Sequence, residues 1–91
     1  MRESLIEKKV SDYAALLGWA SYKFTSPQNR GAPDRIYFRE GVTILIEFKA
    51  PGKKASKLQL HHIDKLTAQL IPVYVVDDIE QGKEIFNANY S

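Results

Sequence analysis

The stretch GAPDRIYFREGVTILIEFK, residues 31–49, decides the architecture. Within it RIYFR (35–39) is a short β-prone run, Glu40-Gly41 has the composition of a tight turn, and VTILIEFK (42–49) is a second β-prone run. The segment therefore reads as a β-hairpin. ILIEF is nearly all apolar, as expected of a central strand covered on both faces, which makes the acid at Glu47 conspicuous. Folding the hairpin about Glu40-Gly41 returns Asp34, at the start of one strand, to the side of Glu47, near the end of the next. Lys49 follows Glu47 by two residues, so its side chain emerges on the same face.

Upstream, apolar residues recur at Leu5, Ile6, Val10, Tyr13, Ala14 and Leu17 with helical spacing, closed by Gly18, and predict a helix over 3–17. WASYKFTS (19–26) reads as a strand ending at Pro27, and PQNRGAPD (27–34) as a loop. Downstream, APGKKA breaks the sheet. Ser56 and Gln59 have the spacing of a capping box opening a helix through about Gln69, with Leu60, Ile63, Leu66 and Leu70 on its inner face. PVYVV (72–76) is a strand. Asp77 or Asp78 can cap a last helix, IEQGKEIFNAN (79–89), which Gly82 weakens. The order is α-β-β-β-α-β-α, an α/β class with a mixed central sheet flanked by helices.

Ninety-one residues fit one domain over 1–91. A chain this short buries only roughly 60–70% of its unfolded surface, so a second copy is a natural source of further apolar burial. A hydrophobic content of 44% and an aromatic content of 11% belong to a globular domain. No apolar run is long enough for a membrane span, and the opening MRESLIEKK has no signal-peptide core, which favours the cytoplasm. Zero cysteines exclude disulfides and thiolate metal sites, so a metal must sit on oxygen or histidine ligands. A net charge of +2 says little about partners. Its distribution says more: KAPGKKASK (49–57) holds Lys49, Lys53, Lys54 and Lys57 and no acid, a patch suited to a phosphate backbone. Alone, such a run is more often a solvated loop.

An Asp, a Glu and a Lys converging at one end of a sheet suit phosphodiester hydrolysis. Asp34 and Glu47 can hold Mg²⁺, a hard ion that prefers oxygen ligands, and Lys49 can orient water or stabilise charge growing on phosphorus. Singly, Asp34 is explained as a turn residue after Pro33, and Glu47 with Lys49 as a same-face ion pair. Together, with the acid inside an apolar strand, they favour chemistry. Arg30, Lys53, Lys54 and Lys57 flank the site and can grip phosphates without reading bases. His61 and His62 lack HxH or HExxH spacing and read as surface residues. Trp19 and the Tyr and Phe residues read as core and strand positions, with no stacking role.

Gly31-Ala-Pro33-Asp34 followed by Ile46-Glu47-Phe48-Lys49 resembles the PD-(D/E)xK nuclease signature. Across nearly the whole chain the order resembles stand-alone, phage-type virus-type replication–repair nuclease (VRR-NUC) domains. The resemblance implies a restriction-endonuclease-like core and a Mg²⁺- or Mn²⁺-dependent endodeoxyribonuclease. It implies Asp34, Glu47 and the Phe48 carbonyl as metal ligands and Lys49 as the catalytic lysine. Glu7 matches the helical glutamate that reaches towards the metal, often through water; Glu3 is the alternative, and the distance from Glu7 to Gly18 is similar to that in archaeal junction resolvases. An exposed acid early in a helix explains Glu7 equally well. Gln59 resembles the helical glutamine lining the site, although the capping box also explains it, and His62 lies one turn on. The resemblance further implies a homodimer cutting branched DNA such as Holliday junctions, in DNA repair, inside a bacterium or phage-infected host cell. The competing reading is a non-catalytic nucleic-acid-binding or assembly module of the same fold, against which stand all three of Asp34, Glu47 and Lys49.

Overall fold

A computed structural model of the chain describes residues 1–25, 28 and 30–89. Its centre is the hairpin of β2 (Arg35–Arg39) and β3 (Val42–Phe48). Glu40 and Gly41 both take positive φ, 47° and 82°, the left-handed pair that a two-residue turn needs to match strand twist. β1 (Ala20–Lys23) adds antiparallel to β2, and β4 (Val73–Val76) adds parallel to β3, giving the order β1-β2-β3-β4. A parallel neighbour demands a crossover, which α2 (Lys57–Ala68) supplies. With α1 (Glu3–Leu16) and α3 (Ile79–Ala88), the element order and the mixed flanked sheet are those expected. β1 is shorter than the predicted strand, and Ser26, Pro27 and Asn29 of the predicted strand and loop lie outside the described residues.

Alternation along β3 divides the molecule. Ile44, Ile46 and Phe48 point to one side and join Tyr37, Val76, Trp19, Ile6, Val10, Ala14 and Phe86 in a single core under α1 and α3. The Phe86 ring meets Trp19 and Tyr37 edge-on, with centroids 5.2 and 4.8 Å apart. α1 closes as expected at Gly18: the Trp19 N–H donates to the Ala14 carbonyl and the Gly18 N–H to Ala15, each at 3.0 Å, with φ +93° at Gly18. Gly82 has a role that propensity does not express. A Cβ there would lie 2.4 Å from Val10 Cγ2, so the glycine lets α3 seat against α1.

α2 behaves differently. Its capping box forms in full, Ser56 Oγ accepting from the Gln59 N–H and Gln59 Oε1 from the Ser56 N–H. Yet none of its residues is buried. Ile63 and Leu66 are half-buried, whereas Leu60 is 47% and Leu70 89% exposed, so the expected inner face is only partly covered. Leu70 falls past the helix end, Ala68, in the left-handed position (φ 63°) usually given to glycine. The Ile71 N–H reaches back to the Leu66 carbonyl, and that closure turns the Leu70 side chain out to solvent.

Candidate active site

The strand ladder continues one step beyond β2 and there carries the first carboxylate. The Asp34 N–H donates to the Ile46 carbonyl (3.0 Å), and the Phe24 N–H donates to the Asp34 carbonyl (2.9 Å). Asp34 Oδ2 accepts from the Phe48 N–H at 2.7 Å, which fastens the side chain across to β3. Asp34 thus stands across from Glu47, as the hairpin predicts. Burial raises the Asp34 pKa most; the Phe48 N–H lowers it, and the charge of Glu7 raises it again.

Glu47 is 3% exposed and is the only charged residue among the buried side chains described. Its Oε2 accepts from Gln59 Nε2 at 2.8 Å and lies 3.9 Å from Lys49 Nζ. Its Oε1 is buried with no hydrogen-bond partner. Burial first, then the neighbouring Asp34 charge, push its pKa up to about 7, against the pull of Lys49. A buried acid with one unpaired oxygen, facing a second carboxylate, is poorly satisfied by protein alone. That donor set fits a hard divalent cation.

Gln59 does two things at once: its Oε1 caps α2 and its Nε2 holds Glu47. Gly31 brings it there. With φ +84°, Gly31 lies so close to the first turn of α2 that a Cβ would come within 3.0 Å of Leu58 Cγ and 3.1 Å of Gln59 N. On the other side, Pro51-Gly52 turns the chain away from β3, with the Lys53 N–H donating to the Ala50 carbonyl at 3.0 Å and φ +80° at Gly52. The Gly52 N–H donates to Asp77 Oδ2 (3.0 Å), tying this turn to the end of β4.

Glu7 sits apart from this quartet in its contacts. Its Oε2 accepts from Arg35 Nε (2.7 Å) and lies 3.1 Å from Lys23 Nζ, while Arg35 Nη1 donates to Ser21 Oγ (2.9 Å). Its charge nevertheless acts on both Asp34 and Glu47, as that of exposed Glu3 acts on Glu47. Among the described residues no set of three or more His, Asp or Glu is gathered as a metal cluster. Sequence reading missed Arg35, Lys23 and Ser21. The register pairs Lys23 with Arg35, a signal recoverable once β1 is laid on β2. Arg30, Lys53, Lys54 and Lys57 are exposed; Lys53 and Lys54 border a cleft of about 350 Å³ with Leu60, Val75 and Asp77. His61 and His62 stack edge-on upon each other, 5.5 Å apart, with His62 half-buried.

No family model matches the chain. A solved structure described as a VRR_NUC domain superposes with a TM-score of 0.87, covering 97% of each chain at 23% sequence identity. The fold is therefore that of a VRR_NUC domain. At the sequence level the chain is 40% identical over 78 residues to "Putative nuclease p44" of Acyrthosiphon pisum secondary endosymbiont phage 1, covering 85% of this chain and 84% of that protein. The chain belongs to the same family as that phage protein and has the fold of a VRR_NUC domain.

Proposed function

We propose that the chain is a divalent-metal-dependent endodeoxyribonuclease, and that Asp34, Glu47, Lys49 and Gln59 form its active centre. The observation that carries this reading is Glu47: an acid 3% exposed in an apolar strand, one oxygen without a partner, beside a second carboxylate. Family membership supports nuclease chemistry. Asp34, Glu47 and the Phe48 carbonyl would hold Mg²⁺ or Mn²⁺, with Glu7 contributing through water from α1. The metal, when bound, supplies positive charge at the phosphate and acidifies the attacking water.

The remaining steps belong to the chain. Gln59 holds Glu47 Oε2 in place, and the Phe48 N–H does the same for Asp34, so the two acids keep their orientation without substrate. Lys49 stands beside Glu47 and stabilises the negative charge that grows on the phosphoryl oxygens as water adds. The P–O3′ bond breaks, the 3′ oxygen takes up a proton, and a 5′-phosphate and 3′-hydroxyl remain. Arg30, Lys53, Lys54 and Lys57 grip backbone phosphates around the site.

Branched DNA such as a four-way junction, cut by a homodimer in the cytoplasm during DNA repair, completes the reading. A second copy supplies the apolar burial that a chain this short lacks. No helix among the described residues is long and apolar enough to cross a membrane. The test is cleavage of labelled single strand, duplex, flap and four-way junction with Mg²⁺, Mn²⁺ or EDTA, alongside light scattering. Metal-dependent cutting of the junction by a dimer is the expected result. Equal cutting with EDTA would remove the metal from the account.

A further inference from the structure

The face of the sheet that carries the carboxylates extends beyond them. Tyr22 pairs with Ile36, Ile36 pairs with Leu45, and Leu45 precedes Glu47 by two residues, so all four side chains stand on one side. Phe24 continues β1 one step, opposite Asp34, through its N–H bond to the Asp34 carbonyl. Phe38, the partner of Ala20 and of Thr43, lies on the same side one step back. Three aromatic rings therefore run along β1 and β2 from the catalytic end.

They differ from the rings of the core. Trp19, Tyr37, Phe48 and Phe86 lie within the core on the opposite side and are at most 4% exposed, whereas Tyr22 is 63%, Phe38 40% and Phe24 37% exposed. Tyr22 and Phe38 are neighbours, with ring centroids 6.3 Å apart and planes inclined by 58°. At 63% and 40% exposure, Tyr22 and Phe38 lie uncovered beside α2, which approaches the sheet at β4. Exposed rings scattered singly need no explanation, but a contiguous row beginning at a catalytic carboxylate does. Arg30 is exposed in the loop leading to Asp34, whereas Lys23, the next residue after Tyr22, alternates to the opposite face and meets Glu7 there.

We infer that Tyr22, Phe24 and Phe38 form a stacking platform for unpaired bases of the DNA strand whose phosphate lies at Asp34 and Glu47. The inference rests on the nuclease reading above and deepens it, because it names the substrate feature that the site recognises. Flat exposed rings hold unstacked bases without regard to sequence, because every base has a π-face. Bases inside an intact duplex already stack on each other and have no free face to offer. From strand and residue spacings Tyr22 lies about 12 Å from Glu47, a span of roughly two to four nucleotides along one strand. DNA with a splayed or unpaired nucleotide near the cut is then preferred over uninterrupted duplex.

The test is binding by the full chain in EDTA, where cutting is suppressed, to single-stranded, gapped and fully paired DNA, read by anisotropy. A 2-aminopurine placed among the unpaired nucleotides reports stacking directly. Tyr22→Leu keeps apolar area but loses the flat ring, and Tyr22→Phe keeps the ring. Tyr22→Leu is expected to weaken single-strand and gapped binding about five- to a hundredfold and to erase the 2-aminopurine change, leaving duplex binding unaltered. Tyr22→Phe should retain both signals. Unchanged affinity in Tyr22→Leu, an equal loss on duplex, or no binding of unpaired probes by wild type would overturn the inference. So would a change of oligomeric state in Tyr22→Leu with DNA binding intact, which would make this face a contact between copies. Wild-type cleavage with Mg²⁺, run in parallel, separates the two readings. Cutting indifferent to Tyr22 removes only the platform, and Tyr22-dependent binding without cutting removes only the nuclease.

Discussion

The two faces of one sheet are built to different standards. Under α1 and α3, Ile44, Ile46, Tyr37, Phe48 and Phe86 are fully buried, and even a glycine, Gly82, is used to bring helices into contact. On the side of α2, the strand residues include a buried acid, exposed aromatic rings and a helix with no buried residue. The first face supplies the stability that a short chain can scarcely spare. The second gives up stability by burying an acid beside a second carboxylate. The difference separates the face that holds the fold together from the face on which the proposed active centre lies, opposite the core at the strand ends.

Three experiments break or sharpen this contrast. The largest is Phe86→Ala against Leu60→Ala. Losing the ring that bridges Trp19 and Tyr37 should cost about 3–5 kcal/mol, while truncating a half-exposed leucine on α2 should cost under about 1 kcal/mol. Urea midpoints measure both; comparable losses would erase the distinction between faces.

Glu47→Gln comes next, and its sign is opposite. The folded-state pKa of Glu47 is about 7, above the ordinary 4.5, so the folded protein holds this proton more tightly than the unfolded chain. Stability is therefore highest below pH 4.5 as far as this group is concerned, falls as pH rises between 4.5 and 7, and stays reduced above. In EDTA at pH 8 the neutral variant should be more stable than wild type by about 2–3 kcal/mol, a gain that shrinks at pH 5. Loss of stability at both pH values would instead make Glu47 a structural ion-pair partner of Lys49.

The smallest effect is Leu70→Gly. Replacing a residue held at φ 63° by one that adopts that conformation freely should raise stability by about 1 kcal/mol, read as a higher melting midpoint. A fall would mean that Leu70 is covered in solution, by a second copy for example.

Local signals carried the parts of the fold that depend on neighbours in sequence. The Glu40-Gly41 turn, the apolar run of β3 and the Ser56–Gln59 box each act within a few residues, and the pairing of Asp34 with Glu47 follows from the turn alone. Parts that depend on distant packing stayed hidden. Periodicity shows which side of α2 is apolar but not whether anything covers it, so Leu60 and Leu70 were placed inward too readily. The partners of Glu7 come from β1 and β2, and Arg35 lies 28 residues away in the chain. Gly82 reads as a weak point of α3 until Val10 is seen against it. At the candidate active centre the residue types were legible, while the unpaired Glu47 oxygen and the double use of Gln59 required three dimensions.

The most direct measurement is junction cleavage by Lys49→Ala with Mn²⁺ affinity determined calorimetrically on the same sample. Removing the ammonium beside Glu47 should lower cleavage by about a hundredfold or more, with the Mn²⁺ dissociation constant and the melting midpoint close to wild type. Cleavage persisting near the wild-type rate in Lys49→Ala would contradict the account, and place the chemistry away from the Asp34–Glu47–Lys49 end of the sheet.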